Sequence, residues 1–349
     1  MAKSSVLVLY NQPLLPRDHP DAESEHSVVR IANEMARILA DAKYGVTTFG
    51  LGADPQTLWS VLKKRKPSVV FNLYEGTLHN AESESYVAGL LEWSGIPFTG
   101  SPPEALSLSR AKHTVKYLMQ AAGLPTADFL AVDTLPAPRW PGTFPVIVKP
   151  AKLDGSVGLA QKSVCVNQRE VRERLAYLLT TYGPPVIVEE YLDGREFNVP
   201  LIELPNLQVL PPLEVTFVTD AQNAWAIQTY DGKWERGSHQ YETTLYHSEV
   251  KLSRAAIRRL DRIALKAYRL LGCRDYARVD FRCNAAGEPF ILEVNPNPEI
   301  SEMAGFAGCL DEAEVPYKRF IVRLVEQALS RKDVPKPTFA PVRTSSAAR

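Results

Sequence analysis

The sequence has no apolar run approaching the roughly 18 residues that cross a bilayer. It has no excess of either charge: 40 basic residues balance 40 acidic ones among 349. The first absence argues against a membrane span. The second argues against a protein that coats nucleic acid or anionic lipid. Cysteine is scarce, and Cys165, Cys273, Cys283 and Cys309 show neither a C-x-x-C pair nor zinc-like spacing, so they read as buried thiols. The six histidines form no H-E-x-x-H pair and no visible triad. There is no Walker A loop and no internal repeat. Tyr10-Asn11-Gln12-Pro13 stands where a G-x-G-x-x-G would follow a first strand, which disfavours NAD. Val6 to Tyr10 is too short for a signal-peptide core and reads as a buried strand. The expectation is a cytoplasmic globular chain of two or three domains at about 150 residues each.

What the sequence does have is rhythm. Val6 to Tyr10, Val46 to Phe49, Val69 to Leu73 and Ile96 to Phe98 read as strands. Between them Val28, Ile31, Met35, Ile38 and Leu39 recur at helical spacing, as do Val87, Leu90 and Leu91 with Tyr86 beside them. This βαβαβ alternation predicts a parallel sheet faced by helices. A helix through Val115, Leu118 and Met119 stops at Gly123-Leu124-Pro125. Strands are expected over 144–149 and 158–166, a helix near 169–181, and strand-rich chain from 194 to 246. The clearest helix runs from about 253 to 271, and a last amphipathic one carries Tyr317, Phe320, Ile321, Leu324 and Val325.

The stretch from Arg278 to Asn295 reads as a β-hairpin turning between Ala286 and Gly287. Asp280 then lies opposite Glu293, and Arg278 opposite Asn295, all four on one face. Val279, Phe281, Leu292 and Val294 point the other way, into a core. Two carboxylates face to face repel unless a cation neutralises them, and an all-oxygen set suits Mg²⁺ or Mn²⁺. The bare pattern is more often only a solvated face, and the register brings the metal reading level with it.

Val146-Ile147-Val148-Lys149 ends an apolar strand in a lysine, beside Gly155-Ser156-Val157-Gly158. A lysine and a small-residue loop are how proteins hold phosphates. Glu189-Glu190-Tyr191-Leu192 follows another apolar strand; it could meet an adenine edge, with Glu196 on ribose hydroxyls. Ser109-Arg110-Ala111-Lys112 matches S-x-x-K by coincidence, since its companion motifs are missing.

Taken in order, these pieces resemble the ATP-grasp superfamily and, within it, the D-alanine–D-alanine ligase family. The matching residues are Phe98-Thr99-Gly100-Ser101, Lys112 with Lys116, Ala122 to Pro125, and Val148-Lys149-Pro150. They continue through Gly155 to Gly158, Glu189 to Leu192 with Glu196, Leu271-Gly272-Cys273, Arg278-Val279-Asp280 and Glu293-Val294-Asn295. The likeness runs to about residue 330. It implies an α/β fold, α+β in its C-terminal part. A Rossmann-like domain would span 1–102, a central ATP-grasp subdomain 103–193 and a C-terminal ATP-grasp subdomain with the metal site 194–333. The polar, proline-bearing tail 334–349 is expected to be disordered.

The resemblance implies ATP held by Lys112, Lys149, Gly155, Ser156, Val157, Gly158, Glu189, Glu190, Tyr191, Leu192 and Glu196. It implies two Mg²⁺ or Mn²⁺ ions on Asp280, Glu293 and Asn295. Arg278 would stabilise the transferred phosphoryl group, Lys233 would contact phosphate from a mobile loop, and Glu23 would hold the first substrate. The expected reaction is ATP-dependent activation of an amino-acid-type carboxylate as an acyl phosphate, then attack by an amine to give an amide. Small molecules are the expected partners, with no nucleic acid or membrane, and a homodimer by analogy alone.

The substrate pocket departs from the family pattern. Gly155 takes the place of a serine, Trp234 of a tyrosine and Glu75 of a histidine, and Pro296-Asn297-Pro298-Glu299 replaces Thr-Ser-Pro-Gly. Altered substrates are therefore expected. A genuine D-alanine–D-alanine ligase of cell-wall synthesis and a catalytically silent ATP-binding regulator remain the alternatives.

Overall fold

A computed structural model describes residues 3–13, 22–76, 80–153, 155–218, 224–235 and 237–331. The tail expected to be disordered lies outside the described residues.

Strands β1 (Lys3–Asn11), β2 (Tyr44–Leu51) and β3 (Val69–Leu73) form a parallel sheet in the order β2-β1-β3. Helices α1 (Ala22–Asp41), α2 (Pro55–Arg65) and α3 (Ser83–Ser94) connect them or follow them. Strand alternation divides β1 between two cores. Val6 and Val8 pack with Met35 and Leu39 of α1, while Leu7 and Leu9 pack with Leu58, Leu62, Val87 and Leu91 of α2 and α3. Two expectations fail here. Only Phe98 of the 96–98 run pairs, as a single bridge to Val70, because the chain turns away at once into Thr99-Gly100. Tyr86 faces outward at 58% exposure, on the side of α3 opposite Val87 and Leu91.

Helices α4 (Pro103–Arg110) and α5 (Lys112–Ala121) lead to β4 (Phe129–Val132), β5 (Val146–Pro150), β6 (Val164–Cys165), α6 (Gln168–Tyr182) and β7 (Val186–Glu190). The four strands form an antiparallel sheet, β4-β7-β5-β6, packed on α6 through Val171, Leu175 and Leu178. The strand expected over 158–166 shrinks to two residues. A turn with Gly158 at positive φ and a 3₁₀ turn at Gln161–Ser163 occupy the rest.

The remaining chain gives β8 (Glu196–Glu203), β9 (Leu207–Val209), β10 (Leu213–Phe217), the short helices α7 (Tyr230–Trp234) and α8 (His239–Glu242), β11 (Thr244–His247), α9 (Arg254–Leu270), β12 (Tyr276–Cys283), β13 (Pro289–Asn295), α10 (Gly305–Glu312) and α11 (Tyr317–Ser330). Its sheet runs β11-β10-β8-β12-β13, with β9 added against β8. Leu260, Ile263, Ala267 and Tyr268 of α9 bury the face of this sheet that carries Val279 and Phe281. The helix begins at a Ser253 cap whose hydroxyl accepts from Ala256 N, and ends before Gly272, at positive φ. All four cysteines are buried and free.

A charged seam joins the parallel sheet to the last sheet. Asp275, 1% exposed, accepts from Gly100 N (2.8 Å) and from both terminal nitrogens of Arg331 (2.6 and 3.0 Å). Arg331 also donates to Phe98 O (2.6 Å), and Arg274 Nε to Gly100 O (2.8 Å). Asp275→Ala would strand these donors and is expected to cost about 3 kcal/mol. A fall in urea midpoint of matching size checks it; an unchanged midpoint would show that the seam adds nothing.

Candidate active site

The site lies where the four-stranded sheet faces the six-stranded one, in a cleft of about 1200 Å³ including its open mouth. Strand ends and strand faces supply it. Lys149 is the penultimate residue of β5, Glu189 and Glu190 end β7, and Glu196 begins β8. Arg278, Asp280 and Arg282 alternate along one face of β12.

The lysine-bearing wall of the cleft is an ion triad. Glu189, 3% exposed, lies between Lys116 Nζ (2.9 Å) and Lys149 Nζ. Burial would push its carboxyl up, but the two ammonium groups overcome that and hold it at about 2. Lys116 is itself buried, which lowers its ammonium against the pull of Glu189, and it also donates to Thr126 Oγ1 (2.7 Å). Lys112 donates to Leu153 O (2.8 Å) and stands 3.7 Å from Glu293.

Gly155 and Ser156 of the small-residue loop take left-handed conformations (φ 65° and 62°), and Gly158 another at 77°. Gly155, Ser156 and Val157 line the cleft; Gly158 does not. A Cβ at Gly158 would come within 2.8 Å of Pro150 Cγ, so its glycine serves close packing. Its carbonyl accepts from Arg174 Nη2 (2.6 Å), which also donates to Ser163 Oγ (2.9 Å).

The hairpin register is the expected one at its open end: Arg278 pairs with Asn295, Val279 with Val294, Asp280 with Glu293. A bulge then intervenes, and Phe281 faces Ile291. The extra residue is Leu292, which turns into the cleft while Ile291 takes the core place expected of it. Arg278 spans both oxygens of Asp280 (2.6 and 2.7 Å). Burial and the charge of Glu293 raise the Asp280 carboxyl against that arginine. Burial also acts on Glu293, but Lys112 and Lys233 hold it below the usual range. Asn295 stays outside the cleft lining, its Oδ1 accepting from Asn297 N (2.9 Å).

Tyr191 and Leu192 line the cleft with Glu190. Burial raises the Glu196 carboxyl despite its 2.8 Å pair with Arg282. Lys233 lines the cleft from α7, whose Thr229 cap accepts from Gly232 N (3.1 Å). Glu23 lies in the first turn of α1, and its side chain is outside the described residues. Glu75 follows β3, its backbone N donating to Asn11 Oδ1 (2.9 Å). Crowding by surrounding protein, then Glu84 and Glu299, push its carboxyl up to about 7. Glu84 is held by Arg110 (2.8 Å) and Asn297 (2.7 Å). Arg282 escaped the sequence reading, although its period-two spacing from Arg278 and Asp280 marks it as a cleft residue. No sequence signal assembles the Lys116–Glu189–Lys149 triad, because its members come from three elements.

Two antiparallel sheets that grip a cleft lined by lysines beside a carboxylate-bearing hairpin define the ATP-grasp class. A profile of the D-ala D-ala ligase C-terminus matches residues 118–326. An uncharacterized protein of Sinorhizobium fredii (y4sG) is 30% identical over 325 residues, 92% of this chain and 91% of its own. A D-alanine–D-alanine ligase of Cupriavidus pinatubonensis is 32% identical over 244 residues, 69% of this chain and 70% of its own. The fold is that of the Bacillus anthracis D-alanine–D-alanine ligase solved with ATP: TM-score 0.73, 19% identity, 95% of this chain and 99% of that one. The chain belongs to the D-alanine–D-alanine ligase family, and it is an ATP-dependent, ADP-forming ligase of the carbon–nitrogen bond-forming type. No helix among the described residues is long and apolar enough to cross a membrane.

Glu189→Gln leaves two lysines facing each other without their counter-charge, and is expected to cost about 3–5 kcal/mol. Because Glu189 titrates at about 2 rather than 4.5, its stabilisation is complete above about pH 4.5 and is lost as pH falls toward 2. Urea midpoints measured across that range should therefore fall less steeply in the variant than in the parent; parallel slopes would contradict this.

Proposed function

We propose that this ligase activates an amino-acid-type carboxylate as an acyl phosphate and couples it to an amine, with substrates other than two D-alanines. The observation that carries the reading is the convergence of Lys112, Lys149, Arg278, Asp280 and Glu293 on one cleft. Lys149 and Lys112 bring two positive charges to the phosphate end, and Gly155 to Val157 add a loop small enough to approach phosphate oxygens. Arg278 and Lys233, at the carboxylate hairpin, would meet the charge that develops on the transferred phosphoryl group. At the other end, Glu190 to Leu192 and Glu196 would take the nucleoside. Glu23 is our candidate for orienting the first substrate.

Asp280 and Glu293 face each other on paired strands, and Asn295 follows on the same face of β13. They make an all-oxygen set that fits Mg²⁺ or Mn²⁺. Among the described residues there is no group of three His, Cys, Asp or Glu side chains, so neutral oxygens must complete such a site. Bound there, the ions would neutralise phosphate charge. The protein's own part is to hold the two carboxylates close, with Arg278 and Lys112 offsetting their repulsion.

The altered pocket supports a change of substrate. Glu75 and Glu299 would suit a further amine or hydroxyl on one substrate. Family likeness alone supports a cytoplasmic homodimer acting on small molecules.

The test is phosphate release and product mass spectra with ATP, Mg²⁺ and a panel of D- and L-amino acids and small dipeptides. We expect a condensation product that Asp280→Asn with Glu293→Gln abolishes, and that Arg278→Ala reduces about 10²–10³-fold. Efficient synthesis of D-alanyl-D-alanine would overturn the altered specificity. ATP binding without turnover on any substrate would favour the silent regulator.

A further inference from the structure

Arg282 is 4% exposed, yet it sits at a cleft position where an apolar residue would fill the same space. A buried ion pair stabilises a fold weakly compared with such a replacement. Its fork instead reaches three separate stretches of chain. Nε donates to Leu192 O (3.0 Å), beside the nucleoside end of the cleft. Nη1 pairs with Glu196 Oε2 (2.8 Å), directly across the β8–β12 ladder. Nη2 donates to Ala226 O (2.8 Å). The plane of the group lies near the Tyr191 and Phe217 rings, at 5.9 and 5.5 Å.

The 224–228 stretch that holds Ala226 is tied on both sides of the cleft. Trp225 N donates to Gln161 Oε1 (2.8 Å), and Gln161 Nε2 to Trp225 O (3.1 Å), beyond the small-residue loop. On the other side the Trp225 ring meets Tyr191 edge to face at 5.2 Å, and Tyr191 OH donates to Ala226 O (3.4 Å). Ile227 and Gln228 line the cleft, and Lys233 follows on α7.

We infer that Arg282 is a positioning residue that joins recognition of the ribose by Glu196 to the seating of residues 224–228 over the nucleotide. This rests on the ATP reading above. Arg282 takes one oxygen of Glu196 and fixes where the other can meet a hydroxyl. The same guanidinium fixes the Ala226 carbonyl, so neither can shift without the other. Lysine carries the charge but presents a point donor in place of a planar fork, and cannot reproduce the three-way tie.

The experiment is calorimetric binding of ATP, 2′-deoxyATP and 3′-deoxyATP, each with Mg²⁺, to the parent chain, Arg282→Lys and Arg282→Met. Hydrogen exchange over 224–228 is followed with and without ATP. We expect the parent to prefer ATP over at least one deoxy analogue and to gain protection over 224–228. Both variants should bind ATP about tenfold or more weakly, lose that protection, and keep a preference no greater than about twofold. Arg282→Lys should hold a melting temperature near the parent's, which separates positioning from folding and decides the matter should Arg282→Met not fold. Parent-like affinity, preference and protection in Arg282→Lys would overturn the inference while leaving the ATP reading intact. A parent chain that does not bind ATP would overturn both.

Discussion

The lysine wall of this cleft rests on one buried carboxylate. Glu189 stands at the end of β7, opposite Ile147 of β5, and gathers Lys116 from α5 and Lys149 from β5 around it. Two ammonium groups this close would repel without it, and Lys116, buried as it is, would be driven toward neutrality. By keeping them charged and fixed, Glu189 turns the two central strands of a four-stranded sheet into a positive wall ready for an anion. Preorganised charge of this kind costs little reorganisation when a phosphate binds.

The rest of the cleft follows the same economy. Arg278 covers Asp280, Arg282 covers Glu196, and Lys112 stands near Glu293. Most charges that a nucleotide and its ions would claim already have a partner of opposite sign, so the cleft is not a nest of unpaired ions. Binding would then exchange partners rather than create charges in a low-dielectric space, where isolated ones are expensive.

The fold was legible where periodicity carries it. Val6 to Tyr10 was recognisable as a buried strand, helical spacing in α1 placed its buried face, and the pairing of Asp280 with Glu293 came from counting alone. Counting failed one step further on. Leu292 carries no mark that distinguishes a bulged residue from a regular one, so alternation assigned it to the core. The strand expected over 158–166 failed for a related reason: its apolar residues read as strand, while Gly158 had already committed the backbone to a turn. Of the site, Lys149, Glu196 and the hairpin carboxylates were visible because each ends or alternates along a strand, while Lys112 and Lys116 stood out only through the family resemblance. The contact of Lys116 with Glu189, the role of Arg174 and the reach of Arg282 to Ala226 were not, since they depend on contacts between segments 16 to 73 positions apart in sequence, which local patterns do not encode.

The bulge at Leu292 also gives the hairpin two reading frames. Between it and the turn, pairing is set by the four-residue bend closed by Asn284 and Gly287. Beyond it, pairing is set by β8, which grips β12 from Tyr276 to Arg282 on the other edge. The loop end and the cleft end are thus mechanically decoupled. A lengthened or shortened bend can be absorbed at the bulge before it reaches Glu293, so the tip of this hairpin is free to drift in evolution while the carboxylates it carries stay in register.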